Sequence, residues 1–248
     1  MKRITLLLTA LLTLIAVAQK NSFRMDVFLN DGTKRSYDLS SVKYVIIQEI
    51  GDKIAPNGDT IRMVDLNLPS GTLWADRNIG ANCPAAAGNY YAWGETKTKN
   101  DYSSKKYTFT TIYWNISGTP YDAATMNWGG GCKMPDSAQI EELCDTKYTI
   151  HKKDSLRDKN GKQIKGYRII SKTNGNSIFL PANGCIKTNN VIHFPEYSGS
   201  YWSASKGGRG IYTGTESDAI SLWTNNSNPY RYFESHHVGQ AIRPVSKK

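Results

Sequence analysis

Six short blocks, spaced through the last three quarters of the chain, constrain its fold more than any other feature. They read VDLNLPSGTLWADRNIGA at Val64–Ala81, GNYYAWGE at Gly88–Glu95, DAATMNWGGGCKMPD at Asp122–Asp136, IFLPANG at Ile178–Gly184, SGSYWSAS at Ser198–Ser205 and GQAIRPV at Gly239–Val245. Each joins a large aromatic or apolar residue to Gly, Pro or Asn, the residues that let a chain turn sharply. The pattern predicts a compact, loop-rich fold, not a helix bundle or a nucleotide-binding sheet.

The N-terminus reads as an export signal. Lys2 and Arg3 precede an apolar run from Ile4 to Val17, broken only by Thr5, Thr9 and Thr13. Ala16-Val17-Ala18 then supplies the small-x-small pattern of a cleavage site, so residues 1–18 are expected to be removed and the mature chain to start at Gln19. A membrane span is the rival reading, but the run is shorter than the ~20 residues a span needs. The first cysteine, Cys83, lies far beyond the cleavage region, where it cannot serve as a lipid anchor. No later segment is apolar enough to span a bilayer. The expected location is the cell surface, the outer membrane or the periplasm.

Composition narrows the partners. The 31 basic and 21 acidic residues give a formal charge of +10, and loss of Lys2 and Arg3 lowers it by two, to +8. Such a balance suits an acidic surface or glycan, and it also serves simple solubility. Much of the charge lies between Lys147 and Lys172, around the turn signal Asp158-Lys159-Asn160-Gly161. No aromatic ladder of the single-strand-binding kind accompanies it, so nucleic acid is not the expected partner. Cys83, Cys132, Cys144 and Cys185 form an even set, which in an exported chain permits disulfides, with three full pairings open. Their spacing matches no zinc site.

Along the chain, residues 19–50 read as a small β module. Phe23, Met25, Val27 and Leu29 alternate with their neighbours, with Phe28 the one break, Asn30-Asp31-Gly32 is a hairpin turn, and Val42–Ile47 is a further β-rich run. Residues 51–60 read as a linker and 61–248 as the main domain. Its best helix follows Met134-Pro135, with Asp136 as cap and Gln139 completing a capping box. Ile140, Leu143 and Cys144 then share one face. A shorter helix covers Asp122–Trp128 and stops at Gly129. Strands are expected at Gly166–Ser171, Ser177–Leu180, Ser200–Ser205, Asp218–Thr224 and Gln240–Val245. Few helices among many short strands define an α+β domain.

The six blocks in this order resemble the Fibrobacter succinogenes major paralogous domain family, over roughly Val64 to Val245. That family is abundant in exported proteins of gut Bacteroidetes-type bacteria. The resemblance implies a C-type-lectin-like fold in its formylglycine-generating-enzyme-like form. The segment with the NDGT turn is similar to a small β module often found ahead of such domains. Cys132, Lys133, Ala204, His236 and His237 depart from the usual pattern.

No constellation for catalysis or metal binding stands out. The Glu-Pro-Asn or Gln-Pro-Asp and Trp-Asn-Asp triplets of calcium-dependent lectins are missing, so calcium-mediated sugar binding is not expected. No cysteine follows Cys185, which argues against the oxidation chemistry of the formylglycine-generating relatives. His151, His193, His236 and His237 lack metal-ligand spacing, and no G-x-S-x-G elbow occurs. No cofactor is expected. Trp74, Trp93, Trp128 and Trp202 sit inside the blocks and are expected in the core. Arg243 is expected to make an ion pair or cap carbonyls, and Glu95 to accept from backbone donors or from an arginine such as Arg243. The stretch WTNNSNPYRYFE at Trp223–Glu234 differs, mixing rings, amides, a cation and a carboxylate. Trp223, Asn225, Asn228, Tyr230, Arg231 and Tyr232 are therefore the candidate ligand surface, against the plainer readings of a solvated loop or a core Trp223. The expectation is an exported, non-enzymatic binding or adhesion protein for a glycan or protein. A structural component of a surface assembly, or an enzyme acting on envelope polymers through carboxylates such as Glu95, Asp122, Asp218 and Glu234, are the alternatives.

Overall fold

The computed structural model describes residues 24–28, 34–38, 53–54, 60–110, 113–129, 131–207, 218–225 and 228–248. The expected export signal, the Asn30-Asp31-Gly32 turn and the Val42–Ile47 run lie outside the described residues. The chain divides into two units, Met1–Glu49 and Ile50–Lys248.

In the first unit, β1 (Arg24–Phe28) pairs antiparallel with β2 (Lys34–Asp38), from Arg24 opposite Asp38 to Phe28 opposite Lys34. Asp26 accepts from Ser36 Oγ at 2.6 Å and faces Lys34 Nζ at 2.7 Å.

The second unit is loop-rich and mostly β, with two α-helices among the described residues. β3 (Lys53–Ile54) pairs with β4 (Thr60–Ile61), so part of the expected linker is a short hairpin. β5 (Met63–Asp65) and β6 (Thr72–Ala75) follow. The helices α1 (Ala123–Trp128) and α2 (Ser137–Cys144) lead into β7 (Thr149–Arg157), β8 (Gln163–Ser171) and β9 (Ser177–Pro181). Then come β10 (Cys185–Ile186), β11 (Ile192–His193), β12 (Gly199–Lys206), β13 (Asp218–Thr224), β14 (Tyr230–Ser235) and β15 (Val245–Lys247). They form three antiparallel three-stranded sheets, ordered β15-β6-β5, β7-β8-β9 and β12-β13-β14, beside the short β3-β4 and β10-β11 pairs.

Both helices begin and end for local reasons. Asp122 Oδ1 accepts from Ala124 N at 2.8 Å and Thr125 N at 3.1 Å, and Oδ2 accepts from Gly118 N and Met134 N at 2.8 and 2.9 Å. One carboxylate thus satisfies the open end of α1 and two flanking loops. Gly129, at φ +59°, ends the helix in a backbone state that a side chain disfavours. Asp136 and Gln139 close the capping box on α2.

Two large apolar clusters fill the unit. Trp93, Trp128, Met134, Trp202 and Ile242 belong to one, and Trp74, Ile140, Leu143, Tyr167, Tyr201 and Val245 to the other. The four tryptophans of the blocks are buried, as expected. Trp93 and Trp202 carry their N–H groups inward to carbonyls, Ser203 O at 3.0 Å and Tyr91 O at 2.8 Å. Arg243 is 1 % exposed and donates to Ala75 O, Phe179 O and Asn78 Oδ1 at 3.1, 2.9 and 2.8 Å. It caps carbonyls, and burial lowers its pKa to about 10. Cys83, Cys144 and Cys185 are free thiols, so none of the three full pairings forms.

Candidate functional site

In the sheet that carries the candidate surface, β12 is buried on both faces, whereas β14 at the edge is exposed or half-buried along its length. Trp202 and Ala219 point into the first cluster, while Tyr201 and Leu222 point into the second. Alternation along the strands makes this unavoidable, because neighbours in sequence face opposite ways. Burial falls off across the sheet from β12 toward the β14 edge, and most of the expected ligand residues lie there.

Trp223 stands opposite Tyr230 in the β13–β14 register, with Tyr232 on the same face one pair further along. The Trp223 and Tyr232 rings are 5.2 Å apart and tilted by 49°, and Tyr230 meets Tyr232 edge-on at 6.3 Å. Trp223 and Tyr230 are half-buried, and Tyr232 is 42 % exposed. The Trp223 Nε1 is covered and has no hydrogen-bond partner among the described residues. Asn225 closes the group, its Nδ2 donating to the Tyr230 hydroxyl at 3.2 Å and its carbonyl accepting from Tyr167 Oη. Burial raises the Tyr230 pKa, Tyr232 adds to the rise and Asn225 opposes it, so the phenol is neutral at physiological pH. Three rings with an amide beside them make a surface that stacks on an apolar face and hydrogen-bonds at its rim.

The structure separates the other two candidates from these rings. Arg231 pairs with Leu222 on the opposite face of the hairpin, where its guanidinium meets Glu141 of α2 and lies 5.9 Å from the centre of the Phe233 ring. Alternation along β14 sends it to that side, and a helix supplies its counter-charge. Asn228 is exposed, just before β14. The stretch is also less loop-like than expected, since Tyr230–Ser235 is a strand.

Of the carboxylates considered for acid–base chemistry, Glu95, Asp122 and Glu234 are engaged, and the Asp218 side chain lies outside what the structure describes. Asp122 holds four backbone N–H groups, as described above. Glu95 faces Lys99 Nζ at 2.8 Å, where backbone donors or an arginine such as Arg243 were expected, and that ammonium lies 5.5 Å from the Tyr102 and Tyr107 ring centres. Glu234 accepts from Ser235 N at 3.2 Å and lies 3.6 Å from Lys187 Nζ. His236 is buried and stacked on Trp93 at 4.5 Å, while His237 is half-buried. Among the described residues no cluster of three or more His, Cys, Asp or Glu side chains is arranged to hold a metal ion.

Two further features escaped the sequence. Trp114 is 70 % exposed, with Lys206 Nζ 5.6 Å from its ring centre. It belongs to none of the six blocks, which is the signal that sets it apart from the core tryptophans. A cleft of about 450 Å³ also opens between α2, the Ser70–Thr72 turn, Lys133 and Lys247. Its acids serve the fold: Asp136 caps α2, and Glu142 Oε2 accepts from Ser70 N at 3.2 Å.

No protein-family model, no characterised protein and no solved structure matches this chain. Among the described residues, no helix is long and apolar enough to cross a membrane.

Proposed function

We propose that this chain is an exported, non-enzymatic binding or adhesion protein, built on a C-type-lectin-like domain, that recognises a glycan or a protein at the cell envelope without calcium. The observation that carries the reading is the group of Trp223, Tyr230 and Tyr232 on the β13–β14 hairpin at the exposed edge of the β12-β13-β14 sheet, with Asn225 beside it. Rings held in register by the paired strands β13 and β14 lose little freedom on binding, so less of the contact energy is spent on ordering them. The resemblance of the six blocks to the major paralogous domain family supports the fold, and so does the loop-rich α+β architecture with its buried tryptophans. The engagement of Glu95, Asp122 and Glu234 by structural partners favours binding over acid–base turnover.

A glycan and host-protein array tests the reading, run with the chain from Gln19 onward in the presence and absence of chelator. Chelator-resistant binding is expected, with a loss of about 2 kcal/mol in Trp223→Ala or Tyr232→Ala, the scale of a truncated aromatic anchor. Folded variants that bind as well as the parent would overturn it.

A further inference from the structure

Between Lys187 and Tyr197 the chain leaves the core as a two-stranded excursion. Cys185 pairs with His193 and Ile186 with Ile192. The inner strand is buried and the outer one is not. Val191, Ile192, Phe194 and Tyr197 are 55, 41, 52 and 56 % exposed, so four apolar side chains within seven residues face water. The backbone is unusual here too. Asn189, Asn190, Phe194 and Glu196 lie at φ +48°, +55°, +57° and +62°. Asparagine tolerates this left-handed region, whereas a bulky side chain such as Phe194 adopts it at a cost in free energy. Backbone bonds enforce it: Ser198 N donates to Phe194 O at 3.1 Å and Glu196 N to Ala182 O at 2.9 Å. The fold thus holds a phenyl ring in solvent on a conformation that does not suit it, which neither burial nor local preference explains.

The excursion adjoins the basic hairpin of β7 and β8. Ala182, which accepts from Glu196, donates to Lys165 O at 2.8 Å, and Lys162 Nζ lies 3.3 Å from Glu196 Oε1. Lys152, Lys153, Arg157, Lys159, Lys162 and Lys165 are all exposed on that hairpin. Asp154 and Asp158 on the hairpin and Glu196 beside it offset only part of that positive charge. Asp154 is bound to Arg168 at 2.5 Å, and Asp158 accepts from Asn160 N and Lys162 N at 2.9 Å.

We propose that this joint surface docks on an anionic lipid membrane, with Val191, Ile192, Phe194 and Tyr197 entering the headgroup layer and Lys159 and Lys162 meeting lipid phosphates. Apolar side chains set among cations match a negatively charged interface, where burial and Coulomb attraction add. A tyrosine keeps its hydroxyl at headgroup level while its ring is buried. Aliphatic Val191 and Ile192 offer no flat face to a sugar ring. A protruding set of side chains also needs no complementary pocket in a fluid layer. These residues are distinct from Trp223, Tyr230 and Tyr232, so the docking surface stands or falls independently of the ligand reading.

Vesicle co-flotation with the chain from Gln19 onward tests the proposal. Phosphatidylcholine vesicles are compared with vesicles in which about one third of the lipid is phosphatidylglycerol. Binding to the anionic vesicles only, weakened by raising salt from ~0.1 to ~0.5 M, is the expected result. Val191→Ser with Phe194→Asn should lower the partition coefficient about tenfold or more, since asparagine suits the left-handed backbone and keeps the fold. Lys159→Glu with Lys162→Glu should do the same without touching an apolar residue. Absence of binding to anionic vesicles, or binding unchanged by both pairs of substitutions, would overturn the proposal. Binding to soluble polyglutamate but not to vesicles would also overturn it, by assigning the surface to an acidic macromolecule.

Discussion

Single side chains carry much of the tertiary logic of this domain. Arg243 is the clearest case, since it joins the Ala75 and Phe179 carbonyls and the Asn78 amide deep in the structure. A lysine there cannot span three acceptors arranged around a planar fork. Arg243→Lys is therefore expected to cost more than ~2 kcal/mol in urea unfolding, because each buried acceptor left alone costs about 1–3 kcal/mol. His151 makes a second, pH-dependent case. Its Nε2 lies 2.8 Å from Thr149 Oγ1 and 3.2 Å from Leu143 O, while Nδ1 is covered with no hydrogen-bond partner among the described residues. Burial lowers its pKa, the charge of Lys172 adds to this, and the hydrogen bond to Leu143 O opposes it. A folded value below the unfolded one means the stability is fully present above about pH 6.5 and is lost as pH falls through the folded pKa. Tm is expected to drop between neutral and mildly acidic pH, with a smaller drop in His151→Gln. A structural role for Arg243 was legible from its neighbour Pro244 and its place in a block, but the choice of carbonyls over an ion pair was not, because it depends on Ala75 and Phe179, far away in sequence. The partner of Glu95 was not, because Lys99 carries no pattern that distinguishes it from any surface lysine.

At the level of elements, the helices were the most readable parts. Asp122 and Gly129 bracket one, and Asp136 with Gln139 starts the other, because capping chemistry is local and needs no distant partner. Asp122→Ala should destabilise the domain by more than ~2 kcal/mol in chemical denaturation, since it removes a helix cap and also orphans two loop N–H groups. The β13–β14 hairpin was half-read. Asp218–Thr224 was expected as a strand, but Tyr230–Ser235 was hidden by the Asn- and Pro-rich stretch before it and by rings on both of its faces. Tyr230 and Tyr232 occupy one face and Phe233 the other, so the period-two contrast disappears. Only the packing of α2 against the Arg231 side tells the faces apart. For the same reason Arg231 could be grouped with the rings in sequence and yet stand away from them in space. The exposed tip at Val191–Tyr197 gave no sequence signal either, because short apolar runs look alike whether a fold buries them or not.

For the molecule as a whole, the division at Glu49 and Ile50 has a direct consequence for stability. Among the described residues, the three buried apolar clusters draw only on those from Ile61 onward. A chain beginning at Ile50 is expected to unfold in one cooperative transition, with Tm within about 4 °C of the full chain, as differential scanning calorimetry would show. Loop-rich α+β architecture was readable from the six blocks because buried indoles alternate with turn residues. The pairing of distant strands was not, since it depends on contacts that no local pattern encodes. One such pairing sets how the domain connects to anything else. β5 and β15 flank β6 in a single sheet, with Val64 and Val245 both opposite Trp74. The chain thus enters this sheet on one side of β6, opposite Ala75, and leaves it on the other, opposite Thr72, with the two flanking strands running parallel about 10 Å apart. A pull applied through β5 and β15 would load the two ladders that hold β6 before it reached the rings.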